Sequence, residues 1–286
     1  MISIILILLF VFSVLSVPVC HGVISGLYLY GMKIFPGLFI SFILTNILVR
    51  ILQQKNINNP WILVITGLMT GFPNGAYICS WYNKNNPENR LGDMLAGIIN
   101  IPSPAFLISY VYINILEKCI SLPMFLALTY TPVILCSYMA ILLFRDKDNK
   151  KNNAPHIKND KKLIFHFFEE AVDSSINTAL KLGAYVIIFS VIVNIIMHFS
   201  QSNTAGLLIS YLFEISNGLA IIKNAGIPMN ITVLLTVLLD AFGGVCIIMQ
   251  TKSICSSYIS IKKYIYQKLV LCIVTPVSYT HLRAHE

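Results

Sequence analysis

The chain has 286 residues, of which 56% are hydrophobic and 11% are charged, and its formal net charge is +8. A soluble domain carries about 25% charged residues, so this composition argues against a soluble globular protein and indicates a polytopic integral membrane protein. In a membrane protein, an excess of Lys and Arg mainly sets the orientation of the loops, and it does not indicate nucleic-acid binding.

A helix needs about 20 apolar residues to cross a bilayer, and two kinds of apolar segment occur here. Trp61–Tyr82 and Ala205–Ile222 are interrupted. The continuous segments, predicted to be spans, are Met1–Val19, Met32–Leu52, Met94–Leu116, Leu122–Phe144, Ala179–Phe199, Ile231–Thr251 and Tyr258–Thr275. Met1–Val19 lacks the basic residues that begin a signal peptide, so we predict an uncleaved first span.

The first interruption lies at Gly71-Phe72-Pro73-Asn74-Gly75-Ala76. Lipid cannot satisfy the backbone groups that a break frees, so such breaks occur only where protein or a watery cavity covers them. In transporters they bind substrates and ions. Pro73 removes a backbone donor, and Gly71 and Gly75 allow a sharp reversal. Asn74 can donate and accept hydrogen bonds; the alternative is a structural kink without a ligand.

Met94–Leu116 contains a second break, at Asn100-Ile101-Pro102-Ser103-Pro104. Its two prolines cannot both lie in a continuous helix without the loss of backbone hydrogen bonds. We therefore expect Asn100 and Ser103, beside Pro104, to be available to a ligand. The alternative is that these polar groups hold neighbouring helices together.

Basic residues indicate the side of the membrane on which each loop lies. Arg145–Lys162 is rich in Lys and Arg, so the positive-inside rule predicts that it is cytoplasmic. Two predicted spans separate this loop from the residues that follow Trp61–Tyr82, so those residues are cytoplasmic as well. The basic residues before Trp61–Tyr82 are on the same side only if that segment is a re-entrant hairpin. Apolar residues at helical spacing between Ile164 and Ile176 predict an amphipathic helix, lying on the membrane surface or packed on the bundle.

The second half contains ionisable residues at the predicted depth of the membrane. Glu214 precedes Asn217 and Gly218 in the interrupted segment Ala205–Ile222. An ionisable group inside a membrane is costly, and by default it is a candidate for function. Glu214 is expected to take up a coupling proton, bind Na⁺ or hydrogen-bond a substrate. The alternative is a carboxylate near the membrane interface.

Asp240, beside the break at Gly243-Gly244, is a candidate for function for the same reason. Gln250 lies on the same helix face as Gly243. The seven cysteines form no CxxC pair and no Cys/His cluster, so the sequence supports neither a disulfide framework nor a metal site. No nucleophile elbow, phosphate-binding loop or HExxH motif occurs. We therefore expect no enzyme activity and no cofactor, apart from a coupling proton or Na⁺.

The two halves of the chain resemble one another. Lys33–Asn46 and Lys181–Asn194 have the same length and matching aliphatic residues. An interrupted segment follows each of them, with Asn74-Gly75 in one and Asn217-Gly218 in the other. Three crossings in each unit invert the second unit relative to the first, and inverted repeats with matching breaks point to a transporter site. The alternative is chance similarity between apolar helices.

The predicted fold is an all-α polytopic membrane protein with inverted repeats, re-entrant helical hairpins and broken transmembrane helices. The tail 277–286 resembles the in-frame translation of a transposon-end sequencing adapter, so we expect the native sequence to diverge near residue 276. We predict a first span (1–20), a first repeat (27–144), a basic linker with its amphipathic helix (145–178), a second repeat (179–276) and this tail.

The breaks carry four motifs in a fixed order. They are Gly-aromatic-Pro-x-Gly-Ala at Gly71–Ala76; Asn-x-x-Gly-Pro-x-Phe at Asn100, Pro104 and Phe106, with Ser103 for the glycine; Leu-Glu-x-x-Asn-Gly at Phe213–Gly218, with Phe213 for the leucine; and Phe-Gly-Gly-x-Ser-x-x-x-Gln at Phe242–Gln250, with Cys246 for the serine. In these motifs the chain resembles the YlbJ-type sporulation integral membrane proteins, part of the nucleoside-recognition Gate group.

The resemblance implies a role in endospore formation, in the mother-cell membrane around the forespore, and transport of dipicolinate toward the forespore. The residues themselves predict only a site for a small polar or anionic group. The alternatives are a nucleoside or other small-solute carrier of the same fold, and a non-transporting scaffold for cortex assembly. We expect a bacterial cytoplasmic membrane protein whose partners are the bilayer and a small anion or nucleoside, with homo-oligomers left open.

Overall fold

The computed structural model describes residues 2–54, 59–87, 90–144, 161–200, 204–255 and 258–283, and every regular element in these residues is a helix. The predicted all-α class is therefore confirmed. The basic stretch 145–160, which makes up most of the predicted linker, lies outside the described residues.

The helices occur in the order of the predicted segments. They are α1 (Ile2–Val14), α2 (Ser16–Tyr28), α3 (Phe35–Gln54), α4 (Pro60–Thr70), α5 (Asn74–Asn85), α6 (Leu91–Ile99), α7 (Pro104–Phe106), α8 (Leu122–Phe144), α9 (Lys161–Ser200), α10 (Thr204–Phe213), α11 (Ile215–Asn224), α12 (Met229–Phe242), α13 (Gly244–Cys255) and α14 (Ile261–Arg283). Two π-helical segments, Leu29–Ile34 and Leu107–Ile115, continue α2 and α7. α14 extends into the predicted adapter tail, and the origin of that tail stays a prediction.

Several helices are long and apolar enough to cross a membrane. Within the described ranges there are four of them: Leu91–Ile115, Leu122–Leu143, Phe168–Ser200 and Met229–Cys255. They coincide with four predicted spans, as expected of a membrane-embedded protein. Ser16–Ile34 and Leu38–Val49, bent by 59°, would make a fifth if they form one span. The predicted span Met1–Val19 is divided between α1 and α2, and α14 is not among the four.

α9 joins two predicted elements in one helix of 40 residues. The predicted amphipathic segment between Ile164 and Ile176 is continuous with the span that follows it. Within this segment Ala171 and Ser175 are buried, and Ser175 accepts a hydrogen bond from Asn46 of α3 at 3.1 Å. The face with Ala171 and Ser175 therefore packs on the bundle, whereas Phe168 and Ile176 of the predicted apolar stripe are exposed.

α2 and α9 pack closely because α2 carries a GxxxG motif. A Cβ on Gly22 would lie 2.5 Å from the Val191 Cα, and a Cβ on Gly26 would lie 2.8 Å from the Ile187 Cα. Small residues at such positions let helix backbones approach each other in a membrane. Any side chain at Gly22 or Gly26 would push the two helices apart.

Both halves show the same order of elements. Each has a long helix (α3 or α9), a helical hairpin (α4–α5 or α10–α11), a broken helix (α6–α7 or α12–α13) and a final helix (α8 or α14). Asn46 donates to a carbonyl one turn earlier and to the Ser175 hydroxyl. Asn194, its predicted counterpart, likewise donates to a carbonyl one turn earlier and to the Ser25 hydroxyl. The inverted relation of the halves stays a prediction.

Contacts between loops define two ends of the helix bundle, which we name end A and end B. At end A, Asn83 of α5 donates to the Tyr258 carbonyl at 2.9 Å, and Asp93 of α6 accepts from the Ser260 N–H at 3.0 Å. At end B, Lys223 at the end of α11 pairs with Glu117, beyond the first broken helix, at 2.7 Å. The hydrogen bond and charge of that lysine lower the pKa of the Glu117 carboxyl.

The first hairpin, α4–α5, has both of its outer ends toward end A. α5 finishes there, and the Trp61 ring at the start of α4 stacks on Tyr138 at 6.5 Å, near the end of α8. The turn of the hairpin lies against the middle of the first broken helix, where the Phe72 N–H donates to the Ile101 carbonyl at 3.0 Å. The re-entrant path stays a prediction, because it depends on where the membrane lies.

Candidate functional site

The turn between α4 and α5 is the first predicted break. Gly71 ends α4 with φ 71° and ψ −173°, a conformation open essentially only to glycine. A Cβ on Gly71 would also overlap with Ser103. Pro73 follows in the turn, and a Cβ on Gly75 would lie 2.9 Å from the Ile99 carbonyl oxygen. These residues therefore let the turn lie directly against the second break.

Asn100, at the second break, connects three helices. Its Oδ1 accepts a hydrogen bond from the Ala76 N–H of α5 at 3.2 Å. Its Nδ2 donates to the Tyr264 hydroxyl of α14 at 2.8 Å and to Thr251 Oγ1 of α13 at 3.3 Å. The side chain is fully buried. One amide therefore ties the first hairpin to two helices of the second half.

Glu214 forms the break in the second hairpin and caps α11. It is 2% exposed, and its Oε2 accepts a hydrogen bond from the Asn217 N–H at 2.7 Å. Its backbone carbonyl accepts from the Gly218 N–H at 2.9 Å. Capping by a carboxylate suits the positive end of a helix. The carboxylate is thus held in place by the N-terminus that it caps.

The fourth break separates α12 from α13 and lies against the third. Gly243 and Gly244 have φ of 82° and 84°, in the range that favours glycine. A Cβ on Gly244 would lie 3.2 Å from the carbonyl oxygens of both Leu212 and Phe213. The two breaks of the second half are therefore packed together, as are the two breaks of the first half.

A cavity of about 30 Å³ lies between the halves. Its polar lining comes from Ser103 in the first half and from Glu214, Ser216 and Gln250 in the second. Phe72, from the first break, also lines it. Gln250 Oε1 is buried without a hydrogen-bond partner in the described part of the chain. The cavity therefore brings together side chains from both predicted repeats.

A second polar cluster surrounds Lys268, in the first half of α14. This side chain is fully buried, and its Nζ donates to the Asn100 carbonyl at 2.5 Å and to the Ala241 carbonyl at 3.0 Å. The ammonium lies 5.9 Å from the ring centre of Phe72 and 5.8 Å from that of Tyr264. Phe72 thus stands between this cluster and the cavity.

Asp240 belongs to the Lys268 cluster. It is fully buried, and neither carboxylate oxygen has a hydrogen-bond partner in the described ranges. Lys268 is the positive charge in its cluster, but no ion pair or hydrogen bond joins the two side chains. A buried carboxylate without a direct partner is costly, and the charge of Lys268 offsets part of that cost.

The remaining predicted residues surround the cavity rather than line it. Asn74 is buried, and its Nδ2 has no hydrogen-bond partner among the residues described. Asn217 Nδ2 donates to the Ser190 hydroxyl at 3.3 Å. Pro104 begins α7 after Ser103, and a Cβ on Gly218 would lie 2.7 Å from the Tyr211 carbonyl oxygen. These residues shape the breaks and connect them to neighbouring helices.

Sequence reasoning missed Lys268 and its neighbour Gln267. Gln267 Oε1 accepts from the Gly97 N–H at 2.7 Å, and Nε2 donates to the Asp93 carbonyl at 2.6 Å. In a regular α-helix these two backbone groups are partners one turn apart, so Gln267 bridges a turn of α6. The available signal was a lysine in a segment predicted to span the membrane, which by itself marks a functional candidate.

Comparisons with protein-family models, with curated proteins and with solved structures found no match.

Proposed function

We propose that the protein is a membrane transporter for a small polar or anionic solute. The observation that carries this proposal is the meeting of broken helices from both halves around a buried cavity lined by Ser103, Glu214 and Gln250. Buried polar groups and helix breaks are costly inside a membrane protein, and they occur where substrates and ions are handled.

Our first candidate substrate is dipicolinate or a related small anion, as the motif resemblance implies. The helix N-termini that begin at Asn74 and Pro104 are features that suit an anion. Glu214 lines the cavity and would repel an anion, so the anion has to enter together with a proton or another cation. In a sporulating bacterium the transporter would lie in the mother-cell-derived membrane and move its substrate toward the forespore.

The lining of the cavity favours a second candidate, a nucleoside or another neutral solute rich in hydroxyl and amide groups. Glu214, Gln250 and Ser103 offer a carboxylate, an amide and a hydroxyl. Such groups pair with the donors and acceptors of a neutral solute without charge repulsion. This candidate is a transporter of the same kind with a different substrate.

Either substrate requires the cavity to enlarge. Its volume of about 30 Å³ is far below the roughly 300–1,000 Å³ of ligand pockets, and it suits water-sized species. Transport therefore needs a movement that opens the cavity to one side. Phe72, which separates the cavity from Lys268, is the side chain that we expect to move.

Uptake into proteoliposomes tests the proposal. The purified full-length chain is reconstituted, and uptake of labelled dipicolinate and labelled uridine is measured in parallel, with protein-free liposomes as the control. We expect saturable dipicolinate uptake that unlabelled dipicolinate inhibits. Uridine uptake alone would favour the second candidate. If folded protein takes up neither, the scaffold hypothesis replaces transport.

A further inference from the structure

The two broken helices direct their C-terminal ends at one point. α6 ends at Ile99 and α12 ends at Phe242, and the last carbonyls of a helix have no partner inside it and carry its negative end. Lys268 Nζ donates one hydrogen bond to a carbonyl at the end of each helix, to Asn100 at 2.5 Å and to Ala241 at 3.0 Å. A single positive charge therefore joins two negative helix ends.

A buried carboxylate lies in the same cluster. Asp240, next to Ala241 in the chain, is fully buried, and its oxygens have no hydrogen-bond partner in the described residues. It adds a negative charge to the cluster without direct contact with the ammonium, and the two backbone carbonyls are oxygen ligands of the kind that hard cations bind. In transporters with broken helices, unwound carbonyls and helix C-termini coordinate Na⁺.

We propose that Lys268 is a built-in replacement for Na⁺, whose ammonium occupies a monovalent-cation site between the Asn100 carbonyl and the Ala241 carbonyl, with the Asp240 carboxylate as a neighbouring buried negative charge. Two negative helix ends and one nearby carboxylate call for a positive charge at this point. Phe72 and Tyr264 exclude water around it and offer their ring faces at 5.9 and 5.8 Å. A cation that is covalently attached cannot leave with the substrate.

The consequence for coupling rests on the proposed transport function, whereas the site itself does not. If Lys268 holds the cation position, transport by the wild-type chain needs no Na⁺. Removal of the lysine side chain would leave the two carbonyls and the neighbouring Asp240 carboxylate without a positive charge. Na⁺ would then bind and restore the lost stability.

Thermal unfolding of the purified full-length protein tests the site without any transport assay. Wild type, Lys268→Ala and Lys268→Met are compared in NaCl and in choline chloride at equal ionic strength, with Na⁺ titrated. Ala opens the site, whereas Met fills the same space without a charge. Lys262→Ala removes an exposed lysine from the same helix and serves as the matched control.

We expect Na⁺ to raise the unfolding midpoint of Lys268→Ala saturably, by at least about 3 °C. The wild type, Lys268→Met and Lys262→Ala should unfold at the same temperature in either salt. If Lys268→Ala is poorly folded in choline, we expect Na⁺ during purification to recover folded protein.

Three results would overturn the inference. One is a folded Lys268→Ala variant that Na⁺ does not stabilise, and another is the same variant left unfolded in both salts. The third is a wild-type protein that Na⁺ itself stabilises saturably, since the site would then not be occupied by the lysine. None of these results depends on uptake, so an absence of transport would leave the thermal result interpretable.

Discussion

Buried ionisable side chains are the most informative residues of this chain. Glu214, Asp240 and Lys268 are each at most 2% exposed. A charge without compensation in such surroundings is strongly destabilising, and these three are compensated in two ways. Glu214 is held by a helix N-terminus, whereas Asp240 and Lys268 compensate each other beside two helix C-termini. Such buried charges beside the helix breaks indicate a site rather than a simple hydrophobic core.

Replacement of Glu214 by Gln separates its charge from its capping role. The amide oxygen of the introduced glutamine can still accept the hydrogen bond from the Asn217 N–H, so we expect the unfolding midpoint to change little. Uptake should fall by about tenfold or more, equivalent to about 1.4 kcal/mol or more, because the carboxylate that would bind the proton or cation entering with the substrate is gone. Proteoliposome uptake measures this, and Glu169→Gln, an exposed position on α9, is the control. Unchanged uptake by the Glu214→Gln variant would remove this carboxylate from the site.

Gly71→Ala tests the backbone of the first break. With φ 71° and ψ −173° at this position, an Ala costs about 1–3 kcal/mol of strain, and its Cβ overlaps with Ser103. Gly226→Ala is the matched control, because Gly226 has φ 63° but nothing within 4 Å of the added Cβ. Thermal unfolding should show a clearly larger loss of stability for Gly71→Ala. Equal losses would mean that the contact between the two breaks is not tight.

At the scale of the elements, the helix breaks form the site, and close contacts between helices hold the surrounding bundle together. The four breaks pack in pairs, because each is made of residues that allow a neighbouring backbone to approach. The GxxxG motif of α2 brings α9 close by the same means. Gln267 bridges a turn of α6 and so links α14 to the first broken helix. The helices around the site are therefore joined both by close backbone contacts and by polar side chains that reach backbone groups of a neighbouring helix.

Gly26→Ala tests the contact between α2 and α9. Its Cβ would lie 2.8 Å from the Ile187 Cα, so we expect a loss of about 1–3 kcal/mol through overpacking. Gly31→Ala is the control, because nothing lies within 4 Å of an added Cβ there. Replacing a helical glycine by Ala where space is open should stabilise the protein by up to about 1 kcal/mol. Chemical unfolding in detergent measures both changes, and the same sign for both would contradict the close contact.

At the scale of the whole molecule, the contacts at ends A and B give the chain a definite path. The first broken helix runs from Asp93 at end A to the loop at Glu117 at end B. The second broken helix starts near end B, where Met229 and Cys119 line one small cavity, and finishes near end A. Opposite directions of this kind are what an inverted repeat requires. The positions of both ends relative to the membrane stay a prediction.

Labelling with a membrane-impermeant maleimide tests that prediction on intact cells. Asn59→Cys and Lys84→Cys lie before and after the first hairpin, and the exposed native Cys119 lies at end B. We expect Cys119 to react from outside and the two introduced cysteines to react only after permeabilisation. Partial burial raises the pKa of the Cys119 thiol, so the labelling needs alkaline pH, where the reactive thiolate forms.

Peptide mapping identifies which cysteine is labelled, so the native cysteines can stay in place. If Asn59→Cys and Cys119 both reacted from outside while Lys84→Cys stayed protected, the hairpin would cross the membrane completely. The re-entrant hypothesis would then be wrong, although the contacts between the breaks would stand.

The amino-acid sequence alone determined the membrane character of the chain, its helical class and the places where its helices break. These properties are local, since hydropathy, glycine and proline act within a few residues. Four of the predicted spans are helices long and apolar enough to cross a membrane. The amphipathic segment before the fifth predicted span was also recognised, but not its continuity with that span.

Only the tertiary structure decided which polar groups meet. Lys268 and Asn100 are 168 residues apart, and no spacing rule connects them. One lysine changes the mean hydropathy of a long apolar segment only slightly, so the segment that forms α14 was predicted as an ordinary span. Burial makes that lysine costly, and the cost is reduced because two helix ends converge on it, with Asp240 in the same cluster. Such compensation depends on packing across the whole molecule, which the sequence does not show.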